Sequence, residues 1–211
     1  TGLIGRELTR HLRNVGHTVD VLTRNPKNIG EYSWNPEANV LNYPFLSEVQ
    51  ILINLSGAGI TDARWTESRK KELIQSRVGT NEFLFNQSTA MTSLEQFICS
   101  SGINAYGFQG GMAPFKETDP FGSDFVSELV RNWEISADLF SGKCKVCKIR
   151  TAVVLAKDGG ALKKMLPPIK MGLGSPIGSG KQVMSWIHSD DLIAIFEQCI
   201  LQQLEGSYNA L

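Results

Sequence analysis

The chain has 211 residues, 42% hydrophobic and 20% charged, which is enough to enclose a full core and lies at the upper end of one ordinary domain. Lys plus Arg (21) balance Asp plus Glu (21), so the broad positive field that gathers nucleic acid or anionic membrane is absent, and neither is expected as a partner. No apolar run approaches the roughly 18 residues of a membrane span, and no charged-then-apolar leader is visible.

The opening "TGLIGRELTRHL" runs Thr1, Gly2 and Gly5 directly into a helical pattern with Ile4, Leu8, Leu12 and Val15 on one face. Gly16 stands where a helix C-terminus favours a left-handed residue. A glycine turn entering a helix serves phosphate chemistry when a strand feeds it, because the strand aims the free N–H groups of the helix at the anion. The pattern therefore expects a strand and at least one further glycine upstream of Thr1. "HTVDVLTRNP" alternates Val19 and Val21 with Thr18 and Asp20 and stops at Asn25-Pro26, as a strand does.

"QILINLSGAG" is a continuous apolar run ending in glycines, suited to a strand buried on both faces. "TESRKKELIQSRVGTNEFLFNQ" carries Leu73, Arg77, Thr80 and Leu84 at helical spacing, and "EQFICSSG" is a further short strand. A helix with Val126, Leu129, Val130, Trp133 and Ala137 on one face precedes the strand "VCKIRTAVVL", and "DLIAIFEQCIL" reads as a last helix. Strands alternating with helices define an α/β fold: a Rossmann-type, doubly wound parallel sheet with a small C-terminal substrate-side portion. The expected division is residues 1–155 as the dinucleotide-binding domain and 156–211 as a partial substrate-side region interleaved with it.

Of Cys99, Cys144, Cys147 and Cys199, only "KCKVCK" has a suggestive spacing. A single C-x-x-C without a second ligand pair makes a poor zinc site, and sulfur buried on a strand is favoured over a redox pair. The cysteines read as a cytosolic signature, so a cytoplasmic location is expected.

In open parallel sheets ligands sit at the carboxyl ends of the strands. Here those ends are Thr23-Arg24, Ser56-Gly57, Ser100-Ser101-Gly102 and Thr151, small or polar residues that let a flat cofactor lie against the backbone. The second strand of a fold that prefers NAD usually ends in an acid for the ribose hydroxyls, whereas an Arg suits a 2′-phosphate. With Thr23-Arg24 at that end and Asp20 three residues too early, NADP(H) is expected ahead of NAD(H).

Four blocks, "TGLIGRELTRHL", "NLSGAGITDARWTESRKKELIQSRVGT", "RTAVVLAKDGGALKKMLPPIKMGLGSPIGSGKQVMSWIHSDDL" and "GSYNAL", resemble the atypical extended short-chain dehydrogenase/reductases, epimerase-like NAD(P)-dependent proteins of sugar-nucleotide type. The resemblance spans nearly the whole chain and implies a fragment cut at both ends. Its implied cofactor set is Thr1, Gly2, Leu3, Ile4, Gly5, Thr23, Arg24, Leu55, Ser56, Gly57, Arg77, Ser100, Ser101, Thr151 and Val153, with Lys181 and Trp186 on the substrate side and no metal. "GSPIGSGKQ" is not a phosphate loop, since Ser175 and Gln182 stand where that motif needs Gly and Ser/Thr.

The resemblance also implies a Tyr-x-x-x-Lys relay, in which the Lys lowers the pKa of the Tyr. Counting back from Glu134, those positions fall on Val126 and Val130, the usual serine on Gly102 and the supporting helix Asn on Ser76. Substitute proton carriers are Tyr106 and His188, the latter oriented by Asp190 or Asp191, against a rival reading in which one Asp caps the last helix. Two functions follow: an NADP(H)-dependent epimerase or oxidoreductase acting on a carbonyl or nucleotide-sugar-like small molecule, or a non-catalytic NADP(H)-binding redox sensor or scaffold.

Overall fold

The computed structural model describes residues 2–107, 114–157, 159–175 and 179–211, with every side chain among them except that of Lys164. Helix α1 (Leu3–Asn14) buries Leu8 and Leu12, one turn apart on its inner face. It ends as its sequence requires: Gly16 takes φ +98°, His17 N–H donates to the Leu12 carbonyl and Gly16 N–H to that of Arg13. This is the left-handed closure that satisfies the last carbonyls of a helix.

Strand β1 (Val21–Thr23) pairs in parallel with β2 (Glu31–Asn35), which turns back on β3 (Val40–Leu41). The hairpin was not foreseen from the sequence, because Glu31–Asn35 has neither an apolar run nor clean alternation. The larger sheet is parallel throughout, in the order β4 (Ile51–Asn54), β5 (Gln96–Gly102), β6 (Lys145–Thr151), β9 (Gly206–Ala210). β1 and β4 are not paired among the described residues, so the two sheets remain separate.

The period of two along β5 places Phe97 and Cys99 on one face and Ile98 on the other. Ile98, Cys147 and Ile149 pack against α1 and α6 (Ser189–Leu201) through Leu8, Leu12, Leu192 and Phe196. Phe97, Cys99 and Val146 pack against α3 (Thr80–Gln87) and α4 (Phe125–Ala137) through Phe83, Leu84, Trp133 and Ala137. Helices on both faces of a parallel sheet make this a Rossmann-like α/β fold, with β9 and α6 in the same core as α1.

Two expected elements are interrupted. The single helix read over 66–87 is α2 (Glu67–Ile74), a π-helical turn (Gln75–Gly79) and α3. The strand read over 146–155 breaks at Ala152, whose N–H donates to the Ala210 carbonyl, and β7 (Val153–Ala156) then leaves the sheet to pair with β8 (Trp186–His188). Helix α5 (Gly160–Lys170) contains Pro167 and Pro168 and buries no side chain among those described, although Leu162, Met165, Leu166 and Ile169 repeat at helical spacing.

Candidate functional site

Parallel register brings the expected strand ends to one edge of the sheet. Asn54 is level with Cys99, Gly102 with Thr151, and Thr151 with Ala210, so Leu55-Ser56, Ser100-Ser101-Gly102 and Thr151 all terminate on the carboxyl side. Thr151 turns its hydroxyl onto the Ile149 carbonyl. Leu3, at the start of α1, fits against Gly159 and Gly160: a methyl group on Gly159 would lie 3.1 Å from its side chain. Val153 is the register partner of Trp186, so the residue expected on the cofactor side and the one expected on the substrate side are neighbours. The Thr1 expectation lies outside the described residues.

The N-terminus of α1 has no side-chain cap and no acid in its first turn, and an added Cβ on Gly2 would meet nothing within 4 Å. Gly2 lends its carbonyl to Arg6 N–H, while the N–H groups of Leu3, Ile4 and Gly5 precede the first intrahelical bond. At the end of β1, Arg24 is exposed with no hydrogen-bond or ion-pair partner among the described residues, and Thr23 Oγ1 accepts only a long bond from Asn25 N–H, 3.4 Å. An open helix start and an uncommitted guanidinium at neighbouring strand ends fit the pyrophosphate and 2′-phosphate of NADP(H).

The π-helical turn explains what Arg77 does. It carries Ser76 and Arg77 under the loop after β4, where Ser76 Oγ accepts from Ala58 N–H (3.0 Å) and Arg77 Nη2 donates to the Ala58 carbonyl (2.9 Å). The guanidinium is buried between Gly57 and the Trp133 ring, 5.0 Å from its centroid, and a Cβ on Gly57 would stand 3.0 Å from its central carbon. Burial first, and Arg69 second, pull its pKa down to about 10. Arg77 thus shapes the Ser56-Gly57-Ala58 loop from beneath.

Below the strand ends lies a buried polar network that the sequence reading did not find. Arg150 on β6 grips Glu134 on α4 with two bonds, Nε to Oε1 at 2.8 Å and Nη2 to Oε2 at 2.9 Å, with side chains 4% and 6% exposed. Ser101 Oγ donates to the same carboxylate at 2.7 Å and Ser207 Oγ at 3.3 Å. Burial alone pushes the Glu134 carboxyl up, but the Arg150 and Ser101 bonds more than reverse this and leave it below the ordinary range. Register is the cause of the arrangement, since Ser101, Arg150 and Asn209 sit side by side on β5, β6 and β9. A charge inside each of two apolar runs, Glu134 in "NWEISA" and Arg150 in "KIRTAV", was the available signal.

Tyr106 belongs to that network. It is 2% exposed, its hydroxyl donates to Asn209 Oδ1 at 2.7 Å and accepts from Arg150 Nη1 at 2.8 Å, and its ring stacks on Phe115. Asn209 N–H reaches Glu117 Oε1 at 2.9 Å and its Nδ2 the Phe115 carbonyl at 3.3 Å, so the 115–117 segment is tied to the end of β9. The hydroxyl expected as a proton donor is therefore committed to two buried partners. Ser101, expected at the cofactor, likewise spends its hydroxyl on Glu134.

Val126 and Val130, at the relay positions, are both 2% exposed, and a Cβ on Gly102 would lie 3.6 Å from Val130 Cγ2. Three apolar positions meet where the relay implied by the resemblance would place polar groups. His188 is half-exposed and is itself the cap of α6: its Nδ1 accepts from Asp190 N–H at 3.3 Å, with Asp190 and Asp191 in the first turn. This corrects the expectation that an Asp is the cap. Lys181 lies on an exposed loop and Trp186 is exposed on β8, while the Cys147 and Cys199 sulfurs are buried in the core. Among the described residues no group of three His, Cys, Asp or Glu side chains can hold a metal, and no helix is long and apolar enough to cross a membrane.

A parallel sheet whose carboxyl edge meets an open helix N-terminus defines a dinucleotide-binding α/β protein. Comparison with known proteins gives the family: residues 1–210 match the NAD dependent epimerase/dehydratase family, and the chain belongs to it. It is 36% identical over 216 residues to the mouse epimerase family protein SDR39U1, covering all of this chain and 72% of that one. The Mycobacterium bovis epimerase family protein Mb2239 is 34% identical over 212 residues, covering 99% of this chain and 70% of the relative. Among solved structures, human SDR39U1 (isoform 2) crystallised with NADPH superposes with a TM-score of 0.88 at 34% identity, over 100% of this chain and 71% of that one.

Proposed function

We propose that the chain binds NADP(H) along the carboxyl edge of its sheet and acts as an epimerase or oxidoreductase on a carbonyl-bearing or nucleotide-sugar-like small molecule. The observation that carries this reading is Arg24, exposed and unpaired immediately after β1, with Thr23 where an NAD site would carry an acid. The NADPH bound by the 34%-identical human relative supports it.

On this reading the first N–H groups of α1 receive the pyrophosphate, and Arg24 holds the 2′-phosphate through paired charge-assisted bonds. Arg77 keeps the Ser56-Gly57-Ala58 loop in place for the cofactor. When bound, NADP(H) supplies or receives a hydride at its nicotinamide C4. Tyr106 and Arg150 tie the 103–107 and 115–117 segments to β6 and β9, at the edge that would receive the nicotinamide. Lys181 and Trp186 face the substrate, and His188 carries the proton from its Nε2, since its Nδ1 is engaged by Asp190 N–H.

The test is a pair of titrations. NADPH binds more tightly than NADH, and Arg24→Ala erodes that preference by about 1–3 kcal/mol, the scale of a charge-assisted hydrogen bond. Equal affinities for the two cofactors in the parent protein overturn the Arg24 assignment.

A second reading has its own observation. The buried Val126 and Val130 leave the relay positions without a group that can move a proton, which favours a protein that binds NADP(H) and responds to its redox state without turnover. Screening the NADPH-loaded protein against carbonyl compounds and the NADP+-loaded protein against nucleotide sugars separates the two, since only an enzyme oxidises the NADPH or isomerises the sugar.

A further inference from the structure

The α1 helix carries a second cluster of positive charge, away from the strand ends. Arg6, Arg10 and Arg13 follow one another at i, i+4 and i+7 and so share a helix face, spread over about 10 Å of its axis. They form one wall of a groove of about 340 Å³ whose other wall is Val21, Asn28, Ile29 and Glu31. The topology explains why the groove is open. The opposite flank of α1 packs on α6, where His11 Nε2 meets Glu197 Oε2 at 2.9 Å, but β1 and β2 are joined by a loop over 24–30 with no crossover helix to cover this flank.

The charge in the groove is not balanced. Glu31, the one carboxylate lining it, accepts from Lys27 N–H (2.7 Å), Asn28 N–H (3.2 Å) and Asn28 Nδ2 (2.8 Å), and these bonds, the Asn28 side chain foremost, hold its pKa down. It remains an anion that already accepts three hydrogen bonds from its own loop. Arg13 spends Nε and Nη2 on the Val19 carbonyl, whereas Arg6 and Arg10 have no hydrogen-bond or ion-pair partner among the described residues. Three guanidinium groups therefore line the groove with one carboxylate, in a chain whose charges sum to zero as a whole.

We propose that this groove is a binding site for a compact polyanion carrying two or more phosphoryl groups. Guanidinium is the group best matched to phosphate, because its planar donors bind two oxygens at once. Three of them in a row suit successive phosphoryl groups better than a single anion. The volume, about 340 Å³, is at the lower end for small-molecule sites and accommodates a di- or triphosphate. Val21 and Glu31 are the first residues of β1 and β2 and Arg24 follows the last residue of β1, so the groove extends toward the opposite end of β1 from Arg24, with Arg6, next to Gly5, at its cofactor-side end. Ile29, fully exposed at the rim, offers an apolar ledge to an organic phosphate.

Calorimetric titration with inorganic tripolyphosphate, with and without saturating NADPH, tests the proposal independently of the cofactor reading. One binding event of unchanged affinity is expected in both conditions. The Arg6→Gln/Arg10→Gln double variant, exposed on the surface and so expected to melt like the parent, weakens it roughly tenfold or more, the loss of charge-assisted contacts. Arg24→Ala leaves it unchanged. ATP binding tighter than tripolyphosphate, with the difference removed by Ile29→Ser, identifies an organic phosphate as the ligand; equal binding identifies the polyphosphate alone. No binding, competition by NADPH, sensitivity to Arg24→Ala or indifference to the double variant each overturns the site, as does binding of an acidic peptide where tripolyphosphate fails.

Discussion

Replacing Glu134 by Gln tests whether the buried Glu134–Arg150 pair holds the strand ends together. The carboxylate accepts four hydrogen bonds, two from Arg150 and one each from Ser101 and Ser207. Glutamine keeps one oxygen acceptor and turns an NH2 donor toward either Nε or Nη2 of Arg150, so one of the two bonds becomes donor against donor. The guanidinium, 4% exposed, then stands in the core without a counter-charge. Removing one partner of such a pair costs about 3–5 kcal/mol, a large share of the roughly 5–15 kcal/mol that holds a domain together. Arg150→Met should cost a similar amount for the reciprocal reason. The Glu134→Leu/Arg150→Met double variant should recover more than half of the sum, because neither charge is left stranded.

Urea unfolding followed by far-UV circular dichroism reads all three variants. The pH dependence gives a further check with a definite sign. Because the folded pKa of Glu134 lies below its ordinary value of 4.5, its contribution is present above that value and is lost as pH falls through the folded pKa. The parent should therefore lose stability on acidification below about pH 4.5 more steeply than Glu134→Gln, which has no carboxyl to protonate. Single variants costing under about 1 kcal/mol, or a double variant equal to the sum of the singles, would refute the account.

Two further substitutions probe neighbouring parts of the molecule. Tyr106→Phe keeps the ring stacked on Phe115 but leaves Arg150 Nη1 and Asn209 Oδ1 each short of a partner, an expected loss of about 1–3 kcal/mol in thermal or urea unfolding; on a confirmed substrate, a fall of about 10²–10⁴ in turnover would instead make the hydroxyl the proton donor. Phe97→Ala removes a fully buried ring stacked on Phe140 at 4.0 Å and should cost about 3–5 kcal/mol by the same assay, a smaller loss meaning that the sheet face collapses into the cavity.

The fold was legible where side chains repeat with the period of the backbone. "QILINLS", "QFICSS" and "VCKIRT" became neighbouring parallel strands because continuous apolar runs are what a sheet covered on both faces requires. The helix over 125–137 followed from apolar spacing, and Asp124, which accepts from Val126 and Ser127 N–H, supplies its cap. What escaped the reading depends on the third dimension. Nothing in Glu31–Asn35 signals a strand, since its burial is only partial and its partner β3 is two residues long. The π-helical turn that directs Arg77 beneath Gly57 leaves the helical spacing of its neighbours nearly intact, so the sequence showed the residue without its direction. The strand ends were read correctly as a line of small polar residues, but not which hydroxyls turn downward. Ser101 and Tyr106 point into the Glu134–Arg150 network, and that follows from register with β6 and β9, which no local pattern encodes.

The polar groups at the carboxyl edge divide into two tiers. In the upper tier Gly2 and Arg24 are open and uncommitted, and the Ser56-Gly57 loop is partly exposed above the Ser76 and Arg77 side chains that hold it. The lower tier, Ser101, Tyr106, Glu134, Arg150 and Asn209, is closed on itself, with each charge matched and each hydroxyl placed. A proton carrier needs exposure to substrate and a proton not already held by a fixed partner. Tyr106 lacks both, because it is buried and its proton is held by Asn209. His188 is half-exposed and engages Asp190 N–H through Nδ1, which leaves Nε2 without a partner among the described residues. If the protein turns over a substrate, the proton carrier we propose lies at the start of α6 and not on the helix that bears Val126 and Val130. If it does not, His188 remains only a helix cap, and the buried Glu134–Arg150 pair still has to hold the binding edge in shape.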